Sequence, residues 1–362
     1  MSLLALHEFH DGLNGRFTEV NGREVVSDYG DWLAEHAALR GAAGALDLSF
    51  RGRICLTGAD RLRWLHGQVT NNVKDLRAGE GCYAALVTAK GKLQSDLNIA
   101  CLPNELLLDF EPGLTETITQ RLDKYIIADD VQVVDAGPHY GLLSVQGPKS
   151  ESVVRSLGLP WELPVKPLSF TSHHDATLGE IYLMNQARLG TTGFDLFVPT
   201  AALGAVLDKL IAATREAGGR ACGWRALEAA RTEAGIPRYG VDMDETNLAP
   251  EPGIESRAIS YAKGCYIGQE VIARIRTYGQ VAKALRGLRL AADLKELPAK
   301  GDKLFHDGKE AGYITSALAS PALGANIALG YVRKETNQIG AQLTLRQGDA
   351  ESDVEVVALP FL

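Results

Sequence analysis

Three stretches carry side chains whose type and spacing suit chemistry. The first is KGCYIGQE, residues 263–270. Gly264 and Gly268 permit tight backbone geometry, and GQEVIARIR can start a helix, which leaves the Cys265 thiol just outside a helix N-terminus. That positive end and the Lys263 ammonium would favour the thiolate, the form that acts as nucleophile or metal ligand, while Glu270 pulls the other way. A small buried cysteine packed as a hydrophobe is the commoner fate of a free thiol and stays open. The second stretch is RLGTTGFDLFVP, residues 188–199. On a strand, Phe194, Leu196 and Val198 point one way, and Asp195 and Phe197 the other. A carboxylate and a ring on one face suit a flat heterocycle with adjacent N–H groups, such as a pterin or guanine, which donates two parallel hydrogen bonds as a guanidinium does. A strand with one solvent-exposed aspartate gives the same pattern.

The third stretch is Arg231 and Glu233, in the last turn of a helix that must stop at Gly235-Ile236-Pro237. A carboxylate there faces the negative end of the helix dipole, at a cost of about 0.3–1 kcal/mol unless a partner compensates. Arg231 can hold a ligand carboxylate or ring carbonyl, or both residues can be solvated. Lys90, Lys92 and Asp96 in AKGKLQSDL sit near a turn, where a solvated hairpin is the simpler account. His173-His174-Asp175 lacks metal-ligand spacing, and no metal site is expected.

Several elements must position these groups. Leu203, Val206, Leu207, Leu210 and Ile211 form one apolar stripe at 3-4-3-4 spacing, closed by Gly218-Gly219. Asp60 is placed to cap a short helix that Gly67 stops, flanked by the β-prone segments RGRICLTG and GCYAALVTAKGKLQSDLNIACL. A further helix runs from about Trp224 to Ala234. Past Val281, short β-prone runs alternate with Gly, Asp and Asn turns, the pattern of a small β-barrel or sandwich. The expected division is 1–280, with two intertwined subdomains, and 281–362.

The 362 residues carry a formal net charge of −8, which argues against a general polyanion-binding surface, so no nucleic-acid partner is expected. No run approaches the roughly 20 apolar residues of a membrane span, and the N-terminus does not read as a secretory signal. Five scattered cysteines without a CxxC pair fit neither a disulfide framework nor structural zinc, and point to reduced thiols in the cytoplasm.

Together these stretches resemble the YgfZ family of folate-binding proteins, relatives of the glycine-cleavage T-protein, an aminomethyltransferase. KGCYIGQE matches the YgfZ signature K-G-C-[FY]-x-G-Q-E. LDLSF, VTNNVKDL, SVQGP, RTEAGIP and VVALPF resemble T-protein segments along most of the chain. The resemblance implies an α+β fold, an antiparallel-sheet folate-binding body closed by a C-terminal β-barrel. It implies tetrahydrofolate or a one-carbon derivative as cofactor. Asp195 stands where a T-protein glutamate grips the pterin, Arg231 and Tyr83 match folate-contacting positions, and Glu233 and Asp96 complete the expected folate set. GKLQSDL departs from the T-protein G-G-[IV]-x-D-D-L, with Ser95 in place of the first aspartate, which makes enzymatic activity uncertain. On these grounds the expectation is folate binding in support of iron–sulfur cluster assembly or repair, with client enzymes or assembly factors as partners. Cys265 would be the functional thiol, assisted by Lys263. The alternative is a folate-dependent aminomethyltransferase or demethylase.

Overall fold

The computed structural model describes residues 2–279, 281–348 and 350–362. Two compact units emerge, one from the chain up to Ala84 with Asp96–Glu228, the other from Ala85–Ser95 with Ala229–Leu362. No helix among the described residues is long and apolar enough to cross a membrane.

In the first unit a six-stranded sheet runs in the order Phe170–Asp175, Gly179–Asn185, Gly193–Pro199, Tyr140–Gln146, Gly44–Asp47, Arg220–Ala221. Its neighbours are antiparallel except the short last pair. Strand alternation separates its two faces. Phe194, Leu196, Val198, Leu143 and Val145 form one apolar face, and the helix Leu203–Glu216 lays Leu203, Val206, Leu207, Leu210 and Ile211 against it. That is the stripe the spacing predicts, and it ends as expected, with Gly218 in the left-handed region at φ +82°. Each such buried aliphatic side chain contributes about 1.5–3 kcal/mol, so truncating Leu207 would loosen the sheet as well as the helix.

A five-stranded sheet orders Glu80–Val87, Leu93–Cys101, Leu106–Phe110, Gly52–Thr57 and Gln132–Asp135. Leu106, Leu108, Phe110, Ile54 and Leu56 are fully buried on one face. The other face carries Asp109, with Asn98 and Arg53 directly across from it on the neighbouring strands. The short helix Arg61–Gln68 forms where expected, but Asp60 does not cap it: its carboxylate accepts the Asp130 N–H at 3.0 Å and meets Arg63 at 3.2 Å. The helix also runs through Gly67 rather than stopping there.

The second unit is dominated by a closed barrel in the order Lys283–Leu290, Ala325–Arg333, Lys309–Ser320, Lys303–His306, Gln342–Gln347, Ala350–Val357. Leu288, Leu290, Leu343, Leu345, Val354 and Val356 recur at period two and fill its interior. The antiparallel α+β architecture with a C-terminal barrel is therefore as the resemblance implies.

Candidate active site

The two sheets of the first unit turn their polar faces toward one another, and Asp195 lies at the middle of the layer between them. Its strand neighbours are Ser144 on one side and Met184 on the other. The alternation read from the sequence holds: Phe194, Leu196 and Val198 face the helix, and Asp195 and Phe197 line a crevice with Asn98, Asp109 and Leu107. The solvent-exposed alternative does not, because Asp195 is fully buried. A buried carboxylate needs compensation, and Arg188 supplies it with Nε at 3.0 and 3.1 Å and Nη2 at 2.6 Å. Arg188 Nη2 also donates to Asp109 Oδ2 at 3.0 Å, tying the two sheets together.

Asp109 anchors the rest of the layer. Arg51 donates to it from Nε at 2.7 Å and to Glu111 from Nη1 at 2.7 Å, and Asn98 Nδ2 donates to it at 2.9 Å. Burial alone would raise the Asp109 pKa, but the Arg51 and Arg188 guanidiniums hold it well below the usual carboxylate range. Burial pushes Asp195 the other way, upward, because Arg188 is shared and Asp109 adds its own negative charge.

Asp96 lies on the strand Leu93–Cys101, and its carboxylate accepts the Tyr83 hydroxyl at 2.9 Å. Burial, reinforced by the charge of Glu111, raises its pKa to about 6, against the opposing pull of Tyr83 and Arg51. Ser95 is fully buried and, one residue away on a strand, points to the opposite face. The hydroxyl at position 95 therefore does not leave the polar layer without an acid, because position 96 supplies one poised near neutrality.

The structure brings Asp195, Tyr83 and Asp96 into the first unit and assigns the remaining expected residues to the second. Arg231 is buried and donates to Asp242, to Ser316 Oγ at 3.1 Å and to the Ile236 carbonyl at 3.3 Å. Glu233, fully buried, accepts the Ser320 hydroxyl at 2.5 Å and the Ala322 N–H at 3.3 Å. The partner that the helix dipole demands of Glu233 is thus supplied by a barrel strand and its turn. Cys265 is exposed, which rules out the buried-hydrophobe alternative. Lys263 is buried, with its ammonium 4.8 Å from the centre of the Tyr266 ring. The helix Gln269–Tyr278 starts as predicted after Gly268, which has φ +85° and passes so close to the chain that a Cβ would lie 2.5 Å from the Thr88 carbonyl oxygen. Two members of the KGCYIGQE motif thus have packing roles within the second unit. Among the described residues, no group of three or more His, Cys, Asp or Glu is arranged to hold a metal ion.

Sequence reasoning missed Arg188, Asp109, Arg51 and Glu111. A signal for Asp109 was present: one acid inside the apolar run Leu106-Leu107-Leu108-Asp109-Phe110 marks a buried, paired carboxylate. Arg188 opens the same stretch that exposed Asp195, but nothing local says that the chain folds back through seven residues to pair them.

The aminomethyltransferase of Halothermothrix orenii is 27% identical to this chain, with both sequences covered in full. That of Saccharopolyspora erythraea is 29% identical over 98% of this chain and 96% of its own. The crystal structure of the glycine cleavage system aminomethyltransferase T from Bartonella henselae superposes with a TM-score of 0.89 at 21% identity, covering 100% of this chain and 98% of that one, which establishes the shared fold. These end-to-end relatives overturn the expectation of an iron–sulfur assembly protein that binds folate without catalysis, since the names they carry are those of the alternative, an aminomethyltransferase. Residues 6–263 match the GCVT N-terminal domain and residues 283–362 the glycine cleavage T-protein C-terminal barrel domain, and the chain belongs to this T-protein family.

Proposed function

We propose that the protein is a folate-dependent aminomethyltransferase, moving the methylene of an aminomethyl donor to tetrahydrofolate with release of ammonia. The observation that carries the reading is Asp96, a half-buried carboxyl bonded to Tyr83, with a pKa raised to about 6 by desolvation and the charge of Glu111. A group titrating near the working pH is the type that exchanges protons efficiently in a transition state. The relatives named aminomethyltransferase, aligned over nearly the whole chain, support the same conclusion.

Tetrahydrofolate suits the first unit because its adjacent N–H groups would take over the two Asp195 carboxylate oxygens that Arg188 occupies, with Phe197 on the same face. When bound, tetrahydrofolate supplies the nitrogen that accepts the one-carbon unit. Asp195 orients the heterocycle, Tyr83 fixes the Asp96 carboxylate, and Asp96 takes up or returns a proton at its oxygens. As a carboxylate, Asp96 also stabilises positive charge that develops on the carbon in transit. Within the family, the KGCYIGQE motif supports placement in a YgfZ-like branch, and five cysteines free of disulfides support a cytoplasmic setting.

The test is turnover. Protein supplied with an aminomethyl donor and tetrahydrofolate should release ammonia and form the methylene derivative in equal amounts. Tight folate binding with no ammonia release under any donor tried would refute the transferase reading.

A further inference from the structure

Arg188 lies in the connection between the strands Gly179–Asn185 and Gly193–Pro199, and its backbone is fixed there. Its N–H donates to Gln146 Oε1 at 2.9 Å, while Gln146 Nε2 donates to the Gln186 carbonyl at 2.9 Å and to Ser144 Oγ at 2.9 Å. From this mount the side chain lays Nε and Nη2 along Asp195 as two parallel donors. The amino-pyrimidinone edge of a pterin presents the same pair of parallel N–H groups. One edge of one carboxylate cannot serve both forks at once. Asp109 gives the guanidinium a second seat, since Nη2 already donates to it at 3.0 Å. Swinging off Asp195 therefore leaves the cation paired in the interior rather than stranded. Asn98, Met184 and Phe197 line the same narrow crevice as Asp195 and Asp109 and are the side chains an entering ring would meet.

Building on the folate reading above, we propose that Arg188 is an internal stand-in for the pterin edge, which the ligand must displace from Asp195 toward Asp109. Arg188 then sets the affinity of the site and discriminates against heterocycles that lack a two-donor edge. A resident competitor lowers apparent affinity by the fraction of time it occupies the seat. It also keeps Asp195 paired whenever no ligand is bound.

The experiment compares tetrahydrofolate binding by calorimetry in the unaltered protein, Arg188→Lys and Arg188→Ala. Lysine keeps a positive charge beside Asp109 but loses the planar fork. Both variants are expected to bind tetrahydrofolate more tightly, by about tenfold or more. Ethylguanidinium ion should compete with tetrahydrofolate in Arg188→Ala and have no effect on the unaltered protein. Binding that is equal or weaker in folded variants overturns the proposal, and so does failure of both variants to fold, which would mark the arginine as a structural ion pair. If the unaltered protein itself binds no tetrahydrofolate, the folate reading falls, an outcome distinct from a change confined to the variants.

Discussion

Two buried clusters of arginine and carboxylate, one in each unit, are built from the same residue types to opposite ends. In the second unit the clusters are closed by fixed partners. Asp242 receives Arg231, the Thr315 hydroxyl at 2.6 Å and the Ser316 hydroxyl at 2.6 Å, and Glu233 is held by Ser320 and Ala322. Thr315, Ser316 and Ser320 come from one barrel strand and Ala322 from the turn after it, so the cluster joins a helix end to the barrel. In the first unit Asp109 and Asp195 share Arg188, Arg51 bridges Asp109 and Glu111, and Asp96 feels the charges of both Glu111 and Arg51. At Asp96, burial and the charge of Glu111 outweigh Tyr83 and Arg51 and raise the pKa to about 6, and Asp195 is raised as well. Carboxylates locked to an arginine and to the hydroxyls of a barrel strand make an anchor, whereas an acid that burial and a neighbouring charge lift toward neutrality makes a group able to exchange protons.

The comparison breaks most sharply at Asp96. Asp96→Asn should lower turnover by about 10²–10⁴ while the protein stays folded, measured as ammonia release per folded molecule. A loss of only a few-fold would remove Asp96 from the chemistry. Arg231→Met should act on stability instead, costing about 3–5 kcal/mol in denaturant unfolding because Asp242 is left charged and buried. If stability is unchanged and folate affinity falls, the Arg231–Asp242 cluster is a ligand site after all.

Gly268→Ala sharpens the reading of the KGCYIGQE motif as packing. With φ +85° and the Thr88 oxygen 2.5 Å from a new Cβ, it should cost about 1–3 kcal/mol. Cys265→Ser, at an exposed position, should stay within about 0.5 kcal/mol. The reverse ranking would contradict the packing account.

A pH dependence of stability also follows from Asp96. The Asp96 pKa is raised in the folded state from 3.8 to about 6, so between those values the folded protein holds the extra proton. The contribution of Asp96 to stability therefore falls as pH rises from about 4 to about 6, by on the order of 2 kcal/mol, and Asp96→Asn should flatten that slope. Asp109, held low, acts with the opposite sign and below that window: its stabilisation is present above the ordinary carboxylate range and lost as pH falls beneath it.

Much of the architecture was legible. The stripe from Leu203 to Ile211, the helix stop before Pro237, the helix start after Gly268 and the β-rich run past Val281 each follow from local periodicity and turn chemistry. Asp195 and Phe197 were placed correctly on one face because strand alternation is a local rule. The failures lie where a side chain's fate depends on what folds against it. Asp60 has the right type and position for a cap, yet Asp130, seventy residues on, takes its carboxylate. Arg231 and Glu233 look identical in sequence whether a ligand or a barrel strand answers them.

What the sequence alone determined is which faces are apolar, where the chain turns, and that a lone acid sits in each of two buried strands, since these depend on neighbours a few residues away. Only the tertiary structure decided which charges meet. Arg188 reaches Asp195 within its own hairpin and Asp109 from the other sheet, while burial and the nearby charge of Glu111 raise the pKa of Asp96 to about 6. Electrostatic energies depend on distance and burial in space, so the balance of a buried layer exists only once the two sheets have closed over it.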